Sequence, residues 1–223
     1  MYLSRLILNL RNRGVLRDLG QPHAMHQTVA RACGSVNEYE GNARVLYRID
    51  QMRSGAVHCL VQSPQMPDWS NVTGNGYLVE MEEPNPAVKP LAVDFQPGQV
   101  FTFRLRANPT KRLGKGAGAD KGKRVGLYDI GEQLGWIQRK AEEHGFRVDG
   151  VMPSQAQIVT GVVPGMAGGD NEAQSHGGRW FAVQYDGRLQ VVDPERFDAA
   201  LARGIGSAKA FGFGLLSLGP GNV

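Results

Sequence analysis

The order in which hydrophobic periodicity changes along the chain constrains its fold more than any other feature, because one succession occurs twice. In the first half, Tyr2 to Leu10 alternates apolar and polar positions as a strand does, with Leu3, Leu6 and Leu8 marking it imperfectly. A basic loop bearing Arg11, Arg13 and Arg17 follows. Pro22 then stands where a first helical residue is favoured, and Met25, Val29, Ala32 and Cys33 recur at helical spacing, which predicts a short amphipathic helix over 22–33. Val45–Ile49 and Val57–Val61 read as strands joined by the turn cluster Asp50–Gly55. A proline-rich stretch, Pro84, Pro86, Pro90 and Pro97, leads to a strand over Gln99–Ala107 that Asn108-Pro109 stops.

The second half repeats the order. Asp129-x-x-Glu132 is a capping box, and Ile130, Leu134, Ile137 and Ala141 fall on one face of the helix it opens, which ends near Gly145. Strands are predicted over 146–163 and 180–192, the latter folded into a hairpin at Asp186-Gly187. Asp193-Pro194-Glu195 then opens a helix to about Arg203, and the chain closes with GIGSAKAFGFGLLSL, glycine-rich and then strand-like. Two copies of a βαββαβ unit, an α+β architecture, is the economical topology. Residues 67–90 are too proline-rich to supply a long second helix to the first copy. The expected division is a domain over 1–108, a linker over 109–123 and a domain over 124–223.

The 223 residues give each such domain enough chain to bury its own core. Two cysteines, Cys33 and Cys59, are too few for a disulfide framework and form no C-x-x-C pair, which fits a reducing cytoplasm. The opening MYLSRLILNL lacks the apolar core and cleavage site of a signal peptide, and no apolar run is long enough to span a membrane.

A net charge of +4 conceals a strong asymmetry. Residues 104–124 hold eight basic side chains, Arg104, Arg106, Lys111, Arg112, Lys115, Lys121, Lys123 and Arg124, against the single acid Asp120. The rest of the chain carries 17 basic residues against 20 acidic. Like charges crowded into the Gly/Lys segment KRLGKGAGADKGK repel one another, and phosphate binding with counterion release relieves that cost. A solvated linker kept soluble by lysines is the alternative. Arg104 and Arg106, two residues apart on a strand, share a face beside the segment.

Two further features bear on chemistry. Gly204, Gly206, Gly212 and Gly214, with Lys209 among them, either bring backbone amides close to a phosphate or serve tight turns and close packing. His23 and His26 lie three apart on the first helix and share a face, His26 beside the apolar stripe and His23 about 60° further toward solvent. Imidazole titrates near neutrality, so a pair supplies one base and one acid, as metal-free RNA transesterification needs. Arg17 and Arg31 are candidate cations for the phosphorane. Purely structural histidines, or a metal held by both, are the alternatives, the latter without a third ligand at convincing spacing.

The stretches MYLSRLILN, RDLGQPHAMHQTV, HCLVQSPQMPDW, FRLRANPTKR, GWIQRKAEEHGF and GRLQVVDPE followed by GIGSAKAFGFGLLSL are together similar to the CasE family, the CRISPR-associated endoribonucleases of type I-E systems. The likeness keeps the same order over almost the whole chain, and FRLRANP with the closing glycine motif carries most of its specificity. It implies two ferredoxin-like (RRM-like) domains in tandem. It further implies metal-independent, cofactor-free cleavage of precursor CRISPR RNA at the base of the repeat stem-loop, leaving a 2′,3′-cyclic phosphate. The mature guide would stay bound in the Cascade complex, with the other Cascade subunits as partners and no membrane.

The family's catalytic histidine falls on His26, and the position usually held by tyrosine is His23. Arg31 matches a basic position near the cleavage site. Where the family sets a basic hairpin against the RNA stem, residues 164–178 are glycine-rich and carry no lysine or arginine before Arg179. Stem recognition then rests more on Lys111 to Arg124. A non-catalytic RNA-binding scaffold subunit is the competing expectation.

Overall fold

The computed structural model describes residues 1–34, 43–114, 122–163 and 176–221. They cluster into two compact units, one of the described residues within 1–93, 160–179 and 209–212, the other of those within 94–159, 180–208 and 213–223.

In the first unit, strand β1 (Tyr2–Leu8) buries Ser4, Leu6 and Leu8 on one face, the alternation its sequence predicts. Helices α1 (Arg13–Gly20) and α2 (Pro22–Cys33) follow, then strands β2 (Leu46–Gln51), β3 (Val57–Ser63) and β4 (Ala87–Pro90). The sheet order is β2-β3-β1-β4 and every pairing is antiparallel. Met25, Val29, Ala32 and Cys33 of α2 join Leu6, Leu8, Cys59 and Val61 of the sheet in one core. Among the described residues, the segment between β3 and β4 holds a short 3-10 turn, Trp69–Asn71, in place of a second helix. Trp69 is buried there, its indole donating to Ser4 Oγ at 3.2 Å.

The second unit has strand β5 (Val100–Ala107), a two-stranded ribbon of β6 (Thr110–Arg112) and β7 (Arg124–Gly126), and helix α3 (Ile130–Glu143). Strands β8 (Phe146–Val163) and β9 (His176–Val191), helix α4 (Pro194–Arg203) and strand β10 (Leu216–Pro220) complete it. Its sheet order, β10-β5-β9-β8, is the first unit's order again: fourth strand, first, third, second. Both units are thus ferredoxin-like in strand order, as the repeated periodicity predicts. Asp129 caps α3 by accepting from the Glu132 amide at 3.0 Å, and Asp193 caps α4 through Arg196 at 3.1 Å.

Four expectations are corrected. The basic loop over 11–17 is largely helical, because Asn12 caps α1 by accepting from the amides of Gly14 and Val15. Residues 94–108, expected at the end of the first domain, lie in the second unit, because β5 pairs with both β10 and β9. Asp186-Gly187 makes no hairpin: β9 runs straight through it, with Asp186 opposite Arg104 and Gly187 opposite Phe103. A Cβ on Gly187 would meet Val151 Cγ2 at 2.8 Å and Asp149 O at 3.2 Å, so this glycine permits close approach of a neighbouring strand. On α3 the buried residues are Gln133, Trp136, Ile137 and Ala141, while Ile130 is exposed. The expected linker over 109–123 is bounded by the β6–β7 ribbon, and its residues 115–121 lie outside the described residues.

Among the described residues, no helix is long and apolar enough to cross a membrane. Cys33 and Cys59 are buried thiols that form no disulfide with each other.

Candidate active site

Helix α2 spans the predicted 22–33, with Pro22 in its first turn, and ends at Gly34, whose φ of 80° few other residues adopt. Burying Met25, Thr28, Val29, Ala32 and Cys33 leaves one flank of the helix to His23 and His26. Both imidazoles are half-buried, with ring centroids 6.5 Å apart and planes tilted by 44°. Burial, and then the adjacent His23, hold His26 below the ordinary imidazole value of about 6.5. Near neutral pH His26 is therefore a neutral imidazole, a proton acceptor.

Two buried devices hold this helix. The first is Asp18 of α1, whose side chain is fully buried. Its Oδ2 accepts from Thr28 Oγ1 of α2 at 2.6 Å and from the Tyr77 hydroxyl at 2.8 Å, and its Oδ1 accepts from Arg17 Nε at 2.8 Å. The carboxylate thus ties α1, α2 and the Tyr77 segment together and fixes the base of Arg17, whose side chain remains 58% exposed. Burial and the hydrogen bond to Asp18 push the Tyr77 phenol well above its ordinary value, so it stays a donor.

The second device is Tyr47 of β2. Its buried hydroxyl donates to Pro22 O at the start of α2 at 3.0 Å, with a longer branch to Ala210 O at 3.4 Å. Ala210 belongs to a short 3-10 turn, Lys209–Phe211, which packs against α2 and β2. Gly212, at φ 83°, sits where a Cβ would come 3.1 Å from the Tyr47 ring. The turn carrying Lys209 is thereby pinned beside the histidine helix.

The glycine cluster is resolved largely in favour of packing. The amides of Gly204 and Gly214 donate to Ala200 O and Arg106 O, and a Cβ on Gly206 would press Trp136 at 3.2 Å.

The other basic candidates divide by setting. Arg31 is exposed on the last turn of α2, about 140° around the axis from His26. Arg104 is engaged by Asp186 at 2.6 Å, and Arg106 lies over the Phe213 ring at 5.7 Å. Lys111 is paired with Glu132. Arg112, Lys123 and Arg124 are exposed on or beside the ribbon, while Lys115 and Lys121 lie outside the described residues. The histidine pair, Arg17, Arg31 and Lys209 belong to the first unit and the remaining described candidates to the second. Among the described residues, no three His, Cys, Asp or Glu side chains are grouped to hold a metal ion.

Asp18, Tyr47 and Tyr77 are the residues that sequence reasoning misses. Asp18 reaches partners 10 and 59 residues away, and Tyr47 reaches across 163 residues to Ala210, spacings with no periodic signature. An acid flanked by Val15, Leu16 and Leu19 was the available hint.

The chain is thus an α+β protein of two ferredoxin-like units, with a histidine pair on α2 of the first and an excess of cationic charge in the second. The CRISPR-associated protein family matches over residues 1–220, and the chain belongs to that family. It is 40% identical over 223 residues to the CRISPR-associated endoribonuclease Cse3 of Thermus thermophilus, covering 99% of this chain and all of that one. It is 31% identical to the Cascade subunit CasE of Escherichia coli, covering 99% and 100% of the two chains. The solved structure of Thermus thermophilus Cse3 bound to an RNA representing a pre-cleavage complex superposes with a TM-score of 0.78 at 38% identity, over 98% of each chain.

Proposed function

We propose that this chain is a CRISPR-associated endoribonuclease that cuts precursor CRISPR RNA at the base of the repeat stem-loop without metal or cofactor. What carries the reading is the His23–His26 pair, with His26 held neutral, in a chain that aligns end to end with an endoribonuclease. Neutral His26 takes the proton of the 2′-hydroxyl. The 2′-oxygen then bonds to the adjacent phosphorus, and the P–O5′ bond breaks. His23 gives a proton to the departing 5′-oxygen. The products are a 2′,3′-cyclic phosphate and a 5′-hydroxyl, with no oxidant, metal or water consumed.

Lys209, held beside α2, and the exposed cations Arg17 and Arg31 steady the charge that grows on the phosphorane oxygens. The second unit, through Arg104, Arg106, Lys111, Arg112, Lys115, Lys121, Lys123 and Arg124, holds the A-form stem by its phosphates and shape. The mature guide stays bound, and the chain takes its place in a Cascade assembly in the cytoplasm, as its Escherichia coli relative is a Cascade subunit. Replacing His26 by alanine should abolish cleavage of a repeat RNA and leave stem-loop binding within about twofold. Retained cutting would remove His26 from the reaction. Tight, salt-sensitive binding with no cleavage by the native chain would instead make it a scaffold subunit.

A further inference from the structure

We propose that Tyr128, with Arg112 and Arg124, forms a nucleotide-stacking site on the β6–β7 ribbon that takes an unpaired nucleotide flanking the RNA stem. The inference rests on the ribonuclease reading above for its ligand, and on the ribbon's geometry for its place.

The ribbon pairs Thr110 with Gly126 and Arg112 with Arg124. Residues directly opposed, and residues two apart, share a face of a two-stranded ribbon. Thr110, Arg112, Arg124 and Gly126 therefore line one face and Lys111 and Val125 the other. The bond from Arg124 Nη1 to Thr110 Oγ1 at 3.2 Å runs along the first face. The Tyr128 ring lies on that same face: a Cβ added to Gly126 would stand 3.3 Å from both Tyr128 Cζ and its hydroxyl oxygen. Gly126 is needed for this space and not for its backbone angles, since its φ is not positive.

Tyr128 is 66% exposed, unusual for a ring so firmly seated. Phe181 packs against it, with ring centroids 4.6 Å apart and planes tilted by 52°. The backbone beneath is pinned by Gln133, itself 2% exposed, whose amide donates to Leu127 O at 3.0 Å and Tyr128 O at 3.3 Å. An exposed aromatic ring packed on Phe181, on the ribbon face that carries Arg112 and Arg124, matches a base stacked on the ring with its phosphate at the arginines. Stacking asks only for a π-face, so the site tolerates any base.

The test compares a stem-loop RNA carrying an unpaired extension with the same stem ended flush, each labelled with 2-aminopurine at the junction. The native chain should bind the extended RNA more tightly and quench its fluorescence. Tyr128→Ala should weaken binding of the extended RNA by about tenfold or more, abolishing the preference, with the salt dependence unaltered. Tyr128→Trp, which keeps a stacking face, should restore both preference and quenching. Arg112→Gln should lower the slope of log affinity against log salt by about 0.7, as loss of one single-strand phosphate contact does. If Tyr128→Ala retains the native preference for the extension, the stacking site is refuted, including where the same variant impairs assembly with a protein partner. If the native chain binds neither RNA, the ribonuclease reading itself fails, and the two failures are distinct.

Discussion

His26 and Asp18 show opposite uses of burial at the scale of single residues. Burial favours the neutral form of the His26 imidazole, and under the proposed reaction its free-enzyme pKa limits kcat/KM on the acid side. The acid limb of kcat/KM for RNA cleavage should therefore fall below about pH 6.5, and a limb above that value would assign the base to another group. The same shift affects stability. His26 and His58 both bind a proton less readily folded than unfolded, His58 through burial and then Arg5. The unfolded chain therefore takes up more protons as pH falls. Stability is complete above about pH 6.5 and declines as the pH drops toward the folded values. Denaturant midpoints between about pH 8 and pH 5 should show this decline, and His26→Gln should reduce it. Asp18 is buried as an acceptor for three donors. Asp18→Ala strands the hydroxyls of Thr28 and Tyr77, and urea unfolding should report a loss of about 2–4 kcal/mol. A loss below about 0.5 kcal/mol would mean that the network does not hold α1 to α2.

Elements differ in how far local sequence decides them. Helices α2, α3 and α4 are legible because their start signals, Pro22, Asp129 and Asp193-Pro194, are local and sit before apolar residues at helical spacing. Helix α1 is not, since its eight residues fully bury only Val15 and Asp18 and its basic residues resemble a loop. Asp186-Gly187 misleads for a related reason. The dipeptide has turn chemistry, but Asp186 is matched by Arg104 across the sheet and Gly187 by the close approach of Val151, both long-range facts. Gly187→Ala should thus destabilise the second unit by about 1–3 kcal/mol, read as a lowered Tm. The same substitution in an exposed hairpin turn would leave the sheet intact, so an unchanged Tm would contradict the continuous strand. The shared face of His23 and His26 was legible from their spacing, whereas the clamp that orients their helix depends on Tyr47 meeting Ala210 from the far end of the chain.

The whole molecule repeats one strand order in two units. The histidine pair is set on the first unit's α2, and the cationic excess is concentrated in 104–124 of the second. Ion pairs to Asp186 and Glu132 engage part of that excess and leave the ribbon arginines Arg112 and Arg124 exposed. In the proposed reaction two imidazoles, without a metal, cut RNA through its own 2′-hydroxyl. The most direct measurement is incubation of the native chain with a repeat stem-loop RNA in excess EDTA, followed by mass analysis of the product ends. A single cut leaving a 2′,3′-cyclic phosphate and a 5′-hydroxyl is the predicted result. Loss of cleavage in EDTA, or a 3′-hydroxyl paired with a 5′-phosphate, would contradict it.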